Sequence, residues 1–137
     1  MKKKIIISIV SLLQFFGISC TTQSPQTDDH ITADDIIKKK IHLGNEENIT
    51  LIDLRTPMEI RKTGIIPGAQ IKNYFSTGLR HYIKGLPKDK KYIVYCKSGG
   101  RSAKMASKMK KQGLDVVNYK EGIDGWLSQK HQTLPHL

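Results

Sequence analysis

An α/β fold with a central, mainly parallel β-sheet flanked by helices on both faces is what this sequence predicts, on three observations. Short apolar runs such as Ile49–Leu54 and Tyr92–Tyr95 alternate along the chain with segments of helical period. The runs are apolar at successive positions, as strands covered on both faces are. The stretch 92–111 reads strand, one cysteine, a glycine-bearing loop, then helix, and ligands in such folds sit at the carboxyl ends of strands.

The elements follow in order. Thr32 is a good N-cap for a helix to about His42, with Asp34 and Asp35 in its first turn, Lys38 to Lys40 towards its end, and Ile36, Ile37 and Ile41 as its apolar face. Gly44-Asn45 ends it, and Ile49–Leu54 is a buried strand. Thr56-Pro57 starts a turn and short helix bearing Met58 and Ile60. Gly64–Ala69 is a loop into a short strand, Ala69 to Lys72. Phe75 to Lys84 reads as a helix with Phe75, Leu79, Tyr82 and Ile83 inward. Leu86–Asp89 turns into the Tyr92–Tyr95 strand. A helix from Ser102 to Lys111 turns Ala103, Met105, Ala106 and Met109 inward and Lys104, Lys108 and Lys111 out, and Gly113 closes it. Val116–Tyr119 is a further strand, and Glu121–Trp126 turns into a final short helix, with Trp126 read as core.

The 137 residues suffice for one domain, and no internal repeat is present. Residues 1–20 read as an export signal. Lys2, Lys3 and Lys4 form a charged start, and the apolar run Ile5–Ile18 follows. That run is shorter than the about 20 residues that span a membrane. It ends Gly17-Ile18-Ser19-Cys20, which resembles a bacterial lipobox and makes Cys20 the expected lipidation site and membrane anchor. Lipoboxes usually carry Leu where Gly17 stands, which leaves cleavage to a soluble periplasmic product as the alternative. Residues 21–30 are polar, without apolar periodicity, and are expected to form a flexible linker. The folded domain is expected over residues 31–137.

Removing the three leader lysines from the net charge of +11 leaves +8. No stripe of basic residues interleaved with aromatics accompanies that charge, so nucleic acid is not the expected partner. The lysines read as a solvated face that also attracts small anions. The five histidines form no HxxxH or HxH pattern, and two cysteines cannot make a zinc set, so no metal or cofactor is expected. A disulfide between Cys20 and Cys96 would block the thiol that the loop exposes, so the two are read as separate.

The loop Cys96-Lys97-Ser98-Gly99-Gly100-Arg101-Ser102 carries the chemistry. A strand that turns through a short loop into a helix gathers unpaired backbone N–H groups and the positive end of the helix dipole into a bowl for an anion. A cysteine at its edge favours the nucleophilic thiolate. Gly99 and Gly100 admit unusual φ and close approach, and Lys97 and Arg101 add positive charge. Arg101 fits ligand binding or bracing of the loop. Asp53, Arg55 and Glu59 have the spacing of a strand-end salt bridge or helix-start brace rather than of an acid–base pair.

Several segments together resemble one family. Leu51-Ile52-Asp53-Leu54-Arg55, Glu59, Gly64-Ile65-Ile66-Pro67-Gly68-Ala69, Tyr95-Cys96 to Arg101-Ser102, and Glu121-Gly122-Ile123-Asp124-Gly125-Trp126 are similar to the successive signatures of a rhodanese-like domain, over about residues 32 to 130. The likeness is to small single-domain rhodaneses exported to the bacterial periplasm. It implies the rhodanese-like fold and a thiosulfate sulfurtransferase in which Cys96 carries a sulfane sulfur as a persulfide. The sulfur would come from thiosulfate or another small anionic donor and pass to a thiophilic acceptor, cyanide or a thiol. Backbone N–H groups from Lys97 to Ser102 would cradle that sulfur, and Lys97 and Arg101 would hold the donor. The family usually has histidine where Ile65 stands, which favours a structural role for that position.

Three rivals are separated by residues. Cysteine phosphatases place five residues between cysteine and arginine, whereas Cys96 and Arg101 are separated by four, a bowl better suited to a sulfur atom than to phosphate. A thiol–disulfide oxidoreductase needs a resolving cysteine, and only distant Cys20 is available. A non-enzymatic sulfur-relay module for a partner protein would use the same loop and remains the alternative.

Overall fold

The computed structural model describes residues 30–39, 41 and 48–136. The expected signal segment 1–20, the lipidation site Cys20, the linker up to residue 29 and the Gly44-Asn45 stop lie outside the described residues. Among the described residues no helix is long and apolar enough to cross a membrane.

Among the described residues five helices and four strands alternate: α1 Ala33–Lys38, β1 Ile49–Asp53, α2 Pro57–Thr63, β2 Gln70–Ile71, α3 Leu79–Lys84, β3 Lys91–Tyr95, α4 Gly100–Lys110, β4 Asp115–Asn118 and α5 Gly122–Ser128. All strand pairs are parallel, in the order β2-β1-β3-β4. The order reverses between β1 and β3, where Asp53 is opposite Tyr95. A reversal of this kind opens a crevice beyond the carboxyl ends of the two strands. Cys96 is the first residue past β3.

Neighbouring residues in each strand go to opposite cores, which is why the strands are apolar at successive positions. Leu51, Ile93 and Val117 pack with α1 and α5 residues such as Ile36 and Trp126. On the other face, Ile52, Val94 and Val116 pack against α3 and α4 through Leu79, Ile83 and Met109.

Local signals place the helix ends. The hydroxyls of Thr32 and Thr56 accept the N–H groups of Asp35 and Glu59, whose carboxylates accept the threonine N–H groups in return. Gly113 (φ +78°) closes α4 with two hydrogen bonds, Gly113 N–H to the Lys110 carbonyl at 2.9 Å and Leu114 N–H to the Met109 carbonyl at 3.3 Å.

The structure departs from the expected elements in three places. First, α1 stops at Lys38 rather than near His42. The chain turns at Lys39, and Ile41 then drops into the same core as Ile36. Second, α3 starts at Leu79, not Phe75, and Phe75 is 67% exposed rather than inward. The Asn73 side chain accepts the Phe75 N–H at 3.1 Å and its carbonyl accepts the Ser76 N–H at 3.0 Å, a local turn that competes with helix. Third, α4 begins at Gly100 rather than Ser102, and its buried stripe is Ser102, Met105, Ala106 and Met109. Ala103 falls off that stripe and is exposed.

Candidate active site

The loop after β3 is shaped by where its carbonyls go. The first amides of α5 reach back to it, Ile123 N–H to the Cys96 carbonyl at 3.0 Å and Asp124 N–H to the Lys97 carbonyl at 3.1 Å. The Gly99 carbonyl accepts the Ser102 hydroxyl at 3.0 Å and the Asn118 amide at 3.4 Å. Two glycines permit this closeness. A Cβ on Gly99 (φ +86°) would stand 2.2 Å from the Lys120 carbonyl oxygen, and one on Gly122 (φ +61°) 2.4 Å from that of Lys97. Gly100 differs: it has no positive φ, and a Cβ there would meet nothing within 4 Å.

With those carbonyls held by other donors, the amides of Ser98, Arg101 and Ser102 point at the Cys96 sulfur, joined by the Ser102 hydroxyl at 3.4 Å. Cys96 is 2% exposed. Burial alone pushes its thiol up. The Ser102 hydroxyl and the three amides outweigh burial and leave the thiol below its ordinary value of 9.0. The site is thus a shielded sulfur whose anionic form is favoured by fixed dipoles, the arrangement of an oxyanion hole drawn around a thiolate.

Arg101 makes a two-pronged pair with Glu59 on α2, one prong at 2.8 Å, and its guanidinium also lies 5.9 Å from the Phe75 ring centre. The Glu59 carboxylate, against the opposing push of burial, is the main reason the Arg101 guanidinium holds its proton above the ordinary value, with the Cys96 side chain a smaller cause. Glu59 is held at about 2, first by Arg101, against the opposing push of burial, and then by Thr56. The arginine therefore ties α4 to the first turn of α2.

Beneath this pair is the strand-end brace. Arg55 is buried on Asp53 (Nε to Oδ1 3.0 Å), Thr63 (2.7 Å) and the Gly64 carbonyl (2.7 Å), and its guanidinium is 5.7 Å from the Tyr95 ring centre. The Tyr95 hydroxyl accepts the Ile66 N–H at 3.1 Å. Burial, and then the charge of Asp53, push that phenol well above its ordinary value. Asp53 and Arg55 are structural, as their spacing suggests, and Trp126 is core, 2% exposed with its indole N–H on the Gln132 carbonyl. Ile65, at the position where histidine was expected, is buried and exchanges two backbone hydrogen bonds of 2.9 Å with Leu134.

Lys97 is exposed and borders a cavity of about 220 Å³ between α2 and α5, opposite Lys62, with Glu59 and Asp124 also on its wall. The residues singled out in the sequence from Cys96 to Ser102 therefore form one constellation, and Lys97 stands at its rim. Three contacts were not foreseen, although each residue had been singled out. The Ser102 hydroxyl aims at the sulfur, Glu59 partners Arg101, and the 121–124 segment positions the loop. The sequence marked Ser102 only as part of the loop, Glu59 as a helix-start brace and Glu121–Trp126 as a signature segment.

Residues 35–129 match the sequence profile of the family described as Rhodanese-like domain. A sulfurtransferase of Allochromatium vinosum is 35% identical over 85 residues, covering 61% of this chain and 77% of that protein. The putative sulfurtransferase YtwF of Bacillus subtilis is 32% identical over 90 residues, covering 66% and 82%. The crystal structure of a rhodanese-related protein from Thermoplasma volcanium superposes with a TM-score of 0.65 at 28% identity, over 78% of this chain and 98% of that one. A parallel sheet, a cysteine at its switch point and a matching profile across both agree, and the chain belongs to the rhodanese-like domain family.

Proposed function

We propose that this protein is a sulfurtransferase of the thiosulfate type, with Cys96 as the persulfide carrier. The observation that carries the reading is the convergence of three backbone amides and one hydroxyl on a buried Cys96 sulfur. Relatives named as sulfurtransferases, at about a third identity, support it.

The reaction follows from the geometry. The Cys96 thiolate attacks the outer sulfur of thiosulfate, the S–S bond breaks, and sulfite leaves with its electron pair. The new terminal sulfur carries negative charge and is held by the loop amides between Cys96 and Ser102. Cyanide or a thiolate then attacks that sulfur, and the Cys96 thiolate departs with the bonding pair, ready for another cycle. No general base is required, because the thiol already favours its anion. Lys97, at the rim of the 220 Å³ cavity, draws in the anionic donor, and Arg101, committed to Glu59, braces the loop and lends charge to the sulfur.

Thiocyanate formation from thiosulfate and cyanide tests the reading, together with intact mass after thiosulfate. The wild type is expected to turn over and to gain about 32 Da of labile sulfur. Cys96→Ala is expected to do neither, and a labile gain of the same mass in that variant would sink the assignment. A wild type that takes up sulfur yet never forms thiocyanate would favour the relay module that serves a partner protein.

The location belongs to the same proposal. The charged and apolar leader ending at Cys20 supports export to the bacterial cell envelope and anchoring by lipid at Cys20, with the soluble periplasmic form as the alternative.

A further inference from the structure

The positive charge of this protein is concentrated on one face. Between Leu79 and Lys111 the chain has eleven lysines and arginines and a single carboxylate, Asp89, whereas the rest of the described chain has eight against seven. Both helices of that stretch, α3 and α4, cover the same face of the sheet, through Leu79, Ile83, Met105 and Met109. Lys104, Lys108 and Lys111 recur at helical spacing on the side of α4 turned away from its buried stripe. Arg80 and Lys84 on α3 stand opposite Lys108 and Lys111, and the Lys88 amine comes to the foot of α4, near Gly113. All six are exposed, and none is ion-paired among the described residues.

Surface lysines that serve solubility are mixed with carboxylates. Like charges three and four apart on a helix repel, and neither α3 nor α4 has a carboxylate to relieve them. What this face attracts follows from what it lacks. Protein interfaces are poor in lysine and have an apolar, aromatic centre. Five of these six cations are lysine, and the large exposed apolar residues, Met58, Phe75, Leu127 and Leu134, all lie outside α3 and α4. A layer of anionic lipid headgroups asks for charge alone. The chain also arrives beside this face. It enters the described fold at His30, bridged to Asn118 on the edge strand β4, and Asn118 borders a hollow shared with Lys110 and Lys111. Cys20 lies ten residues earlier, at most about 35 Å away along the chain.

We propose that the α3–α4 face rests on the headgroups of an anionic phospholipid bilayer. The nearness of that bilayer rests on the lipid anchor read at Cys20, whereas the charge and its placement do not. Attraction between exposed charges is released by salt, so the face orients the domain and the anchor retains it. In that orientation the sheet lies along the membrane. The Cys96 cleft lies beyond the carboxyl ends of β1 and β3, at the side of the helix-covered face, and stays open to substrates.

The test uses the full chain carrying Cys20→Ala, which has no acyl group to insert, and sucrose-loaded vesicles at low salt. Its partition onto phosphatidylcholine vesicles with about a third phosphatidylglycerol is expected to exceed that onto phosphatidylcholine alone by at least about tenfold. R80E/K84E/K108E/K111E is expected to lose that preference. K38E/K39E/R61E/K130E, with the same change in net charge on exposed residues elsewhere, is expected to keep most of it. Equal loss in both variants, or loss in neither, overturns the proposal, as does a chain indifferent to phosphatidylglycerol. Lysine acetylation of the Cys20→Ala chain itself keeps the question open to test should the first variant not fold. Phosphatidylglycerol vesicles should slow acetylation of Lys84, Lys104, Lys108 and Lys111 at least about threefold and leave Lys38 and Lys130 unchanged, and uniform protection overturns the proposal. So does a chain that ignores the vesicles and binds poly-glutamate through the same cations, which would assign the face to an acidic protein. Turnover enters none of these readouts, so a chain without thiocyanate formation would refute the sulfurtransferase reading and leave the lipid-facing surface standing.

Discussion

Ser102 has one hydroxyl proton and two acceptors for it, the Gly99 carbonyl at 3.0 Å and the Cys96 sulfur at 3.4 Å. A neutral thiol is a poor acceptor and a thiolate a strong one, so the hydroxyl gains most from the sulfur once the proton has left. Ser102→Ala removes that selective donor, and a hydrogen bond to a charged group contributes about 1.5 kcal/mol or more. Alkylation of Cys96 by iodoacetamide at pH 7 is expected to slow by about tenfold, and the midpoint of its pH–rate curve to move up. An unchanged curve would assign the depressed thiol to the amides alone. The two loop glycines make the matching contrast. Gly99→Ala puts a methyl against the Lys120 carbonyl at a positive φ and is expected to cost about 2 kcal/mol or more. Gly100→Ala enters open space at the first position of α4 and is expected to stabilise by about 0.5 kcal/mol. Urea midpoints of the two variants check this. The sequence made both glycines look equivalent, since dihedral sign and the distant Lys120 carbonyl are not written in the Gly-Gly pair.

At the scale of elements, Glu59 joins two helices. It completes the cap of α2 with Thr56 and grips Arg101 on α4. Its carboxyl is held at about 2 rather than 4.5, chiefly by Arg101. A depressed carboxyl stabilises the fold in full above its unfolded value and loses that contribution as pH falls through the folded one. Stability carried by this pair is therefore complete above about pH 4.5 and gone near pH 2. Glu59→Gln is expected to lose about 1 kcal/mol at pH 7, or roughly 4 °C in Tm, the ion pair being partly exposed. The same variant should be less sensitive to pH between 4.5 and 2 than the wild type. Thermal melts across that range decide it, and parallel curves for the two proteins would show that the pair carries no acid sensitivity. The capping role was legible in Thr56-x-x-Glu59, whereas the partnership with Arg101 spans 42 residues and exists only once β1 and β3 are neighbours.

Over the whole molecule, the site arises where the sheet changes direction. β1 brings Asp53, Arg55 and the start of α2, β3 brings Cys96, and α5 reaches across to hold the Cys96 and Lys97 carbonyls. The lipid anchor proposed at Cys20 would place this cleft beside the membrane rather than free in solution. Cys20→Ala is accordingly expected to move the protein from the membrane fraction to the soluble fraction without altering thiocyanate formation by the purified protein. Unchanged fractionation would count against lipid at Cys20.

The sequence by itself determined the alternation of elements, the parallel sheet and the glycine-bearing loop that follows Cys96, because periodicity, caps and turn residues act over a few neighbours. The tertiary structure decided what those residues touch. It placed the sulfur under Ser102, tied Arg101 to Glu59 and left Phe75 exposed beside the Arg101 guanidinium. It also gave Gly99 and Gly122 partners in each other's segments. These contacts depend on which strands lie side by side and on the burial that holds them there, and no local pattern of residues encodes that.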